Sequence, residues 1–445
     1  MTGPGHRGLV AAAVVLVGAL VIGLVAVLGA AGRAPGDLSA SGADARAGAR
    51  DTAVRAVLNR RAHAVLHHDE KAWLADIDPK AQEFLAAQRT VFASLTQVDF
   101  ASWRYELVGR DYDRPDLADT YDVAYHLPAI LLHYAIKGYD LGPVARPQAL
   151  TFVQRGHRWL IASDSDADSD LPETGHADPW DRRAMVAREG EHVLVLADAT
   201  DKGRLGALVR VSDAAVTKVA RMWPTGWRRK VVVVAVRDQR LVETYFRTAL
   251  QSSDKVAAIA VPAFDTVPGW TPDDATTYDQ KAAAKVRSRV ILNPRYFQPT
   301  NKDNAQLLTH EVTHVATQAR TWPGAPTWLL EGIADYTAYR ELRPFAVTLP
   351  ATLRAQVDAG SVELPTYDFY QHDVSAHYLA GFLACAFVSD RYGEATLRRW
   401  YDQLATTPRE IQTDAQTQKV TKKVLGLSTS QLSHEVAAYA AGIAH

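Results

Sequence analysis

The sequence predicts an α+β protein: an apolar N-terminal helix, a domain of helices followed by strands, and a second domain in which strands give way to helices. Three observations carry that prediction. Leu9 to Ala31 is an uncharged run built from Leu, Val, Ile, Ala and Gly. Between about Asp51 and Asp164 the apolar period changes from helical to two-residue. From Arg183 onward three β-type runs precede a region, starting at Asn304, that reads almost wholly as helix.

At about 1.5 Å per residue the first run can cross a hydrocarbon core of about 30 Å, so residues 1–32 are expected to form a transmembrane anchor. The run exceeds the about 7–15 apolar residues usual in a cleavable signal, although Gly29-Ala30-Ala31 offers a site for cutting. The expected location is the cell membrane, single-pass through residues 9–31, or secretion if that segment is removed. Arg7 on one side faces Arg33, Arg46 and Arg50 on the other, so the positive charges do not favour an exterior C-terminus. Residues 33–50 are rich in Ala, Gly, Ser and Asp without an apolar period and read as a flexible spacer.

In residues 51–165, Val54, Val57, Leu58, Ala62, Val65 and Leu66 recur at helical spacing, and Trp73, Leu74, Phe84 and Leu85 continue the helical part. Strands are expected at 103–107, 121–125, 131–136, 149–153 and 158–161, where residues alternate or run apolar. The acidic stretch from Asp164 to Asp170 is not a calcium loop, because Ser169 and Gly175 stand where an EF-hand needs Gly and Glu. It reads as part of an acidic linker, 166–182. The domain over 183–445 opens with strands at 192–196, 231–236 and 256–261, the first two separated by a helical segment near Ser212 to Met222. A mixed sheet with crossover helices is expected.

Composition narrows the chemistry. With 49 Lys+Arg against 50 Asp+Glu the net charge is −1, which excludes capture of nucleic acid by bulk charge. The single cysteine, Cys385, permits neither an internal disulfide nor a cysteine-ligated zinc site, and it reads as core within an apolar helix. A metal would have to be held by His, Asp or Glu.

Such a set is present. His310-Glu311-Val312-Thr313-His314 is an H-E-x-x-H pattern; on a helix its two histidines lie about 40° apart and one turn along, with Glu311 beside them. Leu308, Val312 and Val315 would form that helix's core face, and Asp303 with Gln306 would cap its start. A second stretch, Pro326 to Tyr336, reads Pro-Thr-Trp-Leu-Leu-Glu-Gly-Ile-Ala-Asp-Tyr, with Glu331 17 positions after His314. Asp335 lies one turn beyond Glu331 and can accept the outer ring N–H of a liganding histidine.

Together these stretches resemble the gluzincin metallopeptidases, in particular the bacterial peptidase-MA-like group, whose H-E-x-x-H helix is followed by a W-L-x-E-G-x-A-[DE]-Y helix. The resemblance covers about residues 185–440 and extends to Ile291-Leu292-Asn293 as an edge strand, to Tyr392-Gly393-Glu394 and to Leu425-Gly426-Leu427-Ser428. It implies one Zn2+ per chain held by His310, His314 and Glu331, a gluzincin-type fold for 183–445, and an extracytoplasmic catalytic domain. Glu311 would be the general base, and the oxyanion would be met by Tyr378, preferred over Tyr370, His377 and His372. The metzincins are excluded, because Thr317 and Arg320 stand where they need Gly and His. No Gly-x-Met-Glu-Asn stretch precedes the metal helix, which implies an endopeptidase acting on peptide or protein substrates. The element order of 51–165 and its closing strand, His157 to Asp164, resemble cystatin-like and nuclear-transport-factor-like domains, implying an accessory domain without chemistry. The alternative reading is a peptidase-like scaffold that binds peptides or a protein partner without turnover.

Overall fold

The computed structural model describes residues 16–18, 42–167, 176–249, 256–263, 287–294, 304–322, 325–365, 369–370, 372–406 and 414–444. It is α+β with mixed sheets. Three helices come first: α1 (Gly42–Leu66), α2 (Glu70–Leu74) and α3 (Gln82–Leu95). Helix α1 begins inside the expected spacer. Residues 43, 45, 47 and 49 are all alanine, the strongest helix former, so this stretch is helical without needing an apolar stripe.

Strand β1 (Leu16–Gly18) belongs to a later sheet. The strands that follow α3 make two antiparallel sheets. One has the order β2 (Phe100–Asp111), β4 (Pro128–Ile136), β5 (Val144–Ala149); the other has β3 (Tyr125–His126), β6 (Thr151–Arg155), β7 (Arg158–Ser163). Every residue of β4 is buried, as expected of a strand covered on both faces. The strand expected at 121–125 begins only at Tyr125. Side chains rather than a ladder hold its first part: Tyr121 donates to Asp166 at 2.7 Å, and Asp122 accepts from Arg155 at 2.9 Å.

The second sheet system is six-stranded, in the order β1-β11-β12-β10-β9-β8, with β8 (Met185–Glu189), β9 (Val193–Asp198), β10 (Val231–Ala235), β11 (Val256–Ala263) and β12 (Arg287–Leu292). Strands β9, β10 and β12 run parallel, while β8 and β11 are antiparallel to their inner neighbours. Strand β12 therefore lies between β11 and β10, and Ile291 is not on the edge strand expected for it.

Period-two alternation sends neighbouring residues of these strands to opposite faces. Val193, Val195, Val231, Val233 and Val290 pack against α4 (Leu205–Met222) and the later helices. Leu194, Leu196, Val232, Val234 and Ile291 pack against Trp73, Phe92, Trp103, Tyr134 and Trp180 of the N-terminal unit. That unit is thus the second covering layer of the sheet. Each large apolar side chain buried there contributes roughly 1.5–3 kcal/mol. Asp140 and Arg289 join the layers through two hydrogen bonds of 2.7 and 2.8 Å. After α5 (Gln239–Ala249) and the last strands come α6 (Asn304–Thr317), α7 (Thr327–Tyr339), α8 (Ala351–Asp358), α9 (Val374–Tyr392), α10 (Glu394–Ala405), α11 (Asp414–Leu425) and α12 (Thr429–Ile443).

The N-terminal expectation is corrected. Among the described residues no helix is long and apolar enough to cross a membrane. Within the run expected to span one, Leu16–Gly18 is a strand, paired in parallel with β11 through Leu16 opposite Val256 and Gly18 opposite Ile259. The transmembrane helix over 9–31, and the single-pass membrane location built on it, do not stand. A continuous apolar run is also how a strand of a covered parallel sheet reads, and the valines of this run favour a strand. Residues 9–15 and 19–31 lie outside the described residues, as does Asp303.

Candidate metal centre

Helix α6 carries His310, Glu311 and His314, and α7 carries Glu331 and Asp335. Leu308 and Val312 are fully buried in the core beside the sheet, which turns the opposite side of α6 toward α7. Helix α7 is held in turn by α9. A Cβ on Gly332 would lie 2.3 Å from the Gly381 carbonyl oxygen, and one on Gly381 would lie 2.4 Å from that of Trp328. Only glycine at both positions lets the two backbones approach this closely, and that contact sets the height of the neighbouring Glu331.

The site is buried: His310, Glu311, His314 and Glu331 are each at most 2% exposed. His310 Nε2 lies 3.0 Å from His314 Nε2 and 3.1 Å from Glu331 Oε2, and His314 Nε2 lies 3.6 Å from the same oxygen. Metal–ligand distances of about 2.0–2.1 Å in a tetrahedral site require ligand atoms about 3.3 Å apart, so these three atoms form one face of such a tetrahedron. The other ring nitrogen of His310 meets Asp335 Oδ1 at 2.7 Å. That contact places a proton on Nδ1 and aims Nε2 at the centre, the atom that would ligate an ion. The second Glu331 oxygen accepts from the Tyr370 hydroxyl at 3.1 Å. His310, His314 and Glu331 form a group that can hold a metal ion, and among the described residues no other group of three His, Cys, Asp or Glu does so.

The charges of the site act strongly on one another. Burial alone would lower the His310 pKa, but Asp335 and Glu331 outweigh it and push it up to about 10. Burial would raise Glu331, yet His314 and His310 pull it down to about 2. Glu311 differs. Burial, reinforced by Glu331, pushes it up to about 8 against the opposing pull of His310. Neither of its carboxylate oxygens has a hydrogen-bond partner, and the backbone of Ala260 in β11, which lowers its pKa, does not reach bonding geometry. A fully buried carboxyl without partners costs on the order of 1–3 kcal/mol, more when charged, unless another group completes it.

The four candidate oxyanion residues are now separated. Tyr378 is buried in α9 with its ring 6.4 Å from that of His310 and 4.9 Å from that of Phe369. Tyr370 reaches Glu331 directly. His377 turns its Nδ1 to the Phe369 carbonyl oxygen at 2.8 Å, and His372 is exposed. Cys385 is fully buried, and burial pushes its thiol well above the ordinary range. Sequence reasoning missed the Gly332–Gly381 contact, whose signal is a glycine inside each of two apolar helices.

Comparison with known families adds one match. Residues 271–322 match the eCIS core domain family. That span includes β12 and α6, and so His310, Glu311 and His314, but it ends before Glu331. No curated protein matches the chain.

Proposed function

We propose that this chain is a zinc-dependent metallopeptidase of the gluzincin type, cleaving peptide bonds in protein or peptide substrates. The observation that carries the reading is the open face made by His310 Nε2, His314 Nε2 and Glu331 Oε2, with the unpartnered Glu311 carboxyl beside it. Two imidazoles and one carboxylate suit zinc, His310 giving up to the ion the proton that Asp335 and Glu331 favour, and three protein ligands leave a fourth position open, as in catalytic rather than structural sites. The ion, when bound, acidifies a water and polarises the scissile carbonyl.

The rest of the work falls to the chain. Asp335 keeps His310 in the tautomer that presents Nε2. Glu331 is charged well below neutral pH and supplies the negative ligand. Glu311 takes the proton of the attacking water at one Oε and returns it to the leaving nitrogen. Its pKa of about 8 places it near the working pH of a general base, and a cation next to it favours the ionised form. The helices enclosing the site exclude bulk water, which strengthens each of these interactions.

The full chain is expected to bind one zinc and to cleave an unstructured protein such as casein. Glu311→Gln should keep the zinc and lose at least about a thousandfold in turnover, since general base and proton donor are removed together. A wild-type chain that binds no zinc at neutral pH would sink the proposal. Wild type and Glu311→Gln that both bind zinc and are equally inert would turn the reading to a peptide-binding scaffold.

A further inference from the structure

The Tyr370 hydroxyl donates at 3.1 Å to Glu331 Oε1, while the contacts of His310 and His314 are with Oε2. Tyr378 packs in the same aromatic group, against Phe369. Tyr378 is anchored on α9, the helix whose Gly381 touches Gly332 of α7. The segment before α9 thus reaches the second oxygen of the carboxylate ligand through the Tyr370 hydroxyl. Both rings are fixed by Phe369, at 5.1 Å from Tyr370 and 4.9 Å from Tyr378.

From this geometry we infer that Tyr370, ordered by packing against Phe369, is a positioning residue for the metal centre: it holds Glu331 so that a single oxygen, Oε2, faces His310 and His314. A buried carboxylate with one oxygen unsatisfied can rotate to present either oxygen, or both, to a cation. A hydroxyl donor on Oε1 removes that freedom before the ion arrives and leaves Oε2 at its 3.1 Å and 3.6 Å distances from the two ring nitrogens. Partners that orient metal ligands in this way are typically worth about 10- to 100-fold in metal affinity. This role differs from oxyanion contact, which acts on turnover and leaves zinc affinity alone. Tyr370 keeps one hydroxyl proton, and that proton is committed to Glu331.

The inference rests on the metallopeptidase reading, and its test separates the two. Zinc affinity of the full chain is measured by competition with a chromophoric chelator for wild type, Tyr370→Phe and Tyr378→Phe, beside melting temperatures of the metal-free proteins and casein turnover at saturating zinc. Tyr370→Phe should bind zinc about 10- to 100-fold more weakly, with near-wild-type turnover once fully loaded, and a metal-free melting temperature that is lower but still leaves a folded protein, because buried Glu331 Oε1 loses its donor. Tyr378→Phe, which keeps the ring against Phe369, should leave zinc affinity unchanged. Unchanged zinc affinity in Tyr370→Phe overturns the inference, and a loss of turnover at full loading with unchanged affinity would reassign Tyr370 to the reacting oxyanion. If the wild type itself binds no zinc, the metallopeptidase reading fails first.

Discussion

Two buried clusters of charge sit on opposite faces of the six-stranded sheet, and they are finished to different degrees. Where the turn after β4 meets β12, Asp140 and Arg289 have side chains 0% and 6% exposed. Arg289 gives two hydrogen bonds to Asp140, which also accepts from the Ile136 backbone at 2.8 Å. Burial would lower the Arg289 pKa, but Asp140 outweighs it and raises it. At α6 and α7, by contrast, two ring nitrogens face each other at 3.0 Å and both oxygens of Glu311 lack partners. Burial of charge is common to both. What separates a fastening from a site is the unmet demand left at the second.

The largest expected effect tests the fastening. Asp140→Asn leaves the Arg289 guanidinium buried without its counter-charge, and should cost about 3–5 kcal/mol of stability in denaturant melts, with zinc content of the folded fraction unchanged. The double replacement Asp140→Leu with Arg289→Met should recover most of that loss. If the single variant loses less than about 1 kcal/mol, the layers are not interlocked by this pair and apolar packing alone joins them. Next in size is Gly332→Ala. Its Cβ would meet a backbone oxygen at 2.3 Å, so α7 and α9 must part, at about 1–3 kcal/mol, and Glu331 must shift with α7. Weaker zinc binding should accompany the lower melting temperature. Gly442→Ala, whose Cβ would have nothing within 4 Å, should do neither.

The same contrast explains what the sequence made legible. His310, Glu311 and His314 are held at fixed spacing by one helix, so their convergence follows from helical geometry alone. Glu331 and Asp335 also share a helix, but their approach to His310 depends on the Gly332–Gly381 contact, which is a property of two helices and not of either stretch. Tyr370 lies outside any helix or strand, with no period to reveal its partner. The Asp140–Arg289 pair joins residues 149 apart in sequence, and the accessory unit accordingly read as a separate domain rather than as a layer of the sheet. At the N-terminus, hydropathy registers apolar length but not whether that length will be helix or strand.

A smaller effect probes how the histidine is held. Asp335→Asn keeps a hydrogen bond to His310 Nδ1 but removes the charge, and should weaken zinc about 10-fold while lowering the His310 pKa and, with it, metal-free stability at neutral pH. No change in affinity would mean that the tautomer is set without Asp335.

The finest test asks whether Glu311 is unfinished in the sense argued, and it uses metal-free protein. The folded-state pKa of Glu311 is raised from 4.5 to about 8 by burial first and by Glu331 next, with His310 opposing. Between those values the unfolded chain has shed the proton that the folded chain retains, so the folded state binds more protons and stability falls as pH rises. The contribution is fully present below about 4.5 and is lost as pH passes through about 8. Glutamine carries no such proton. Metal-free Glu311→Gln should therefore gain on wild type as pH rises from about 5 to about 8, by at most about 1.4 kcal/mol per pH unit. Saturating zinc should flatten the difference, because a cation beside the carboxyl lowers the pKa that burial had raised. A gap between the two proteins that stays constant across that window would show that Glu311 has partners in solution, and the contrast with Asp140 would then collapse.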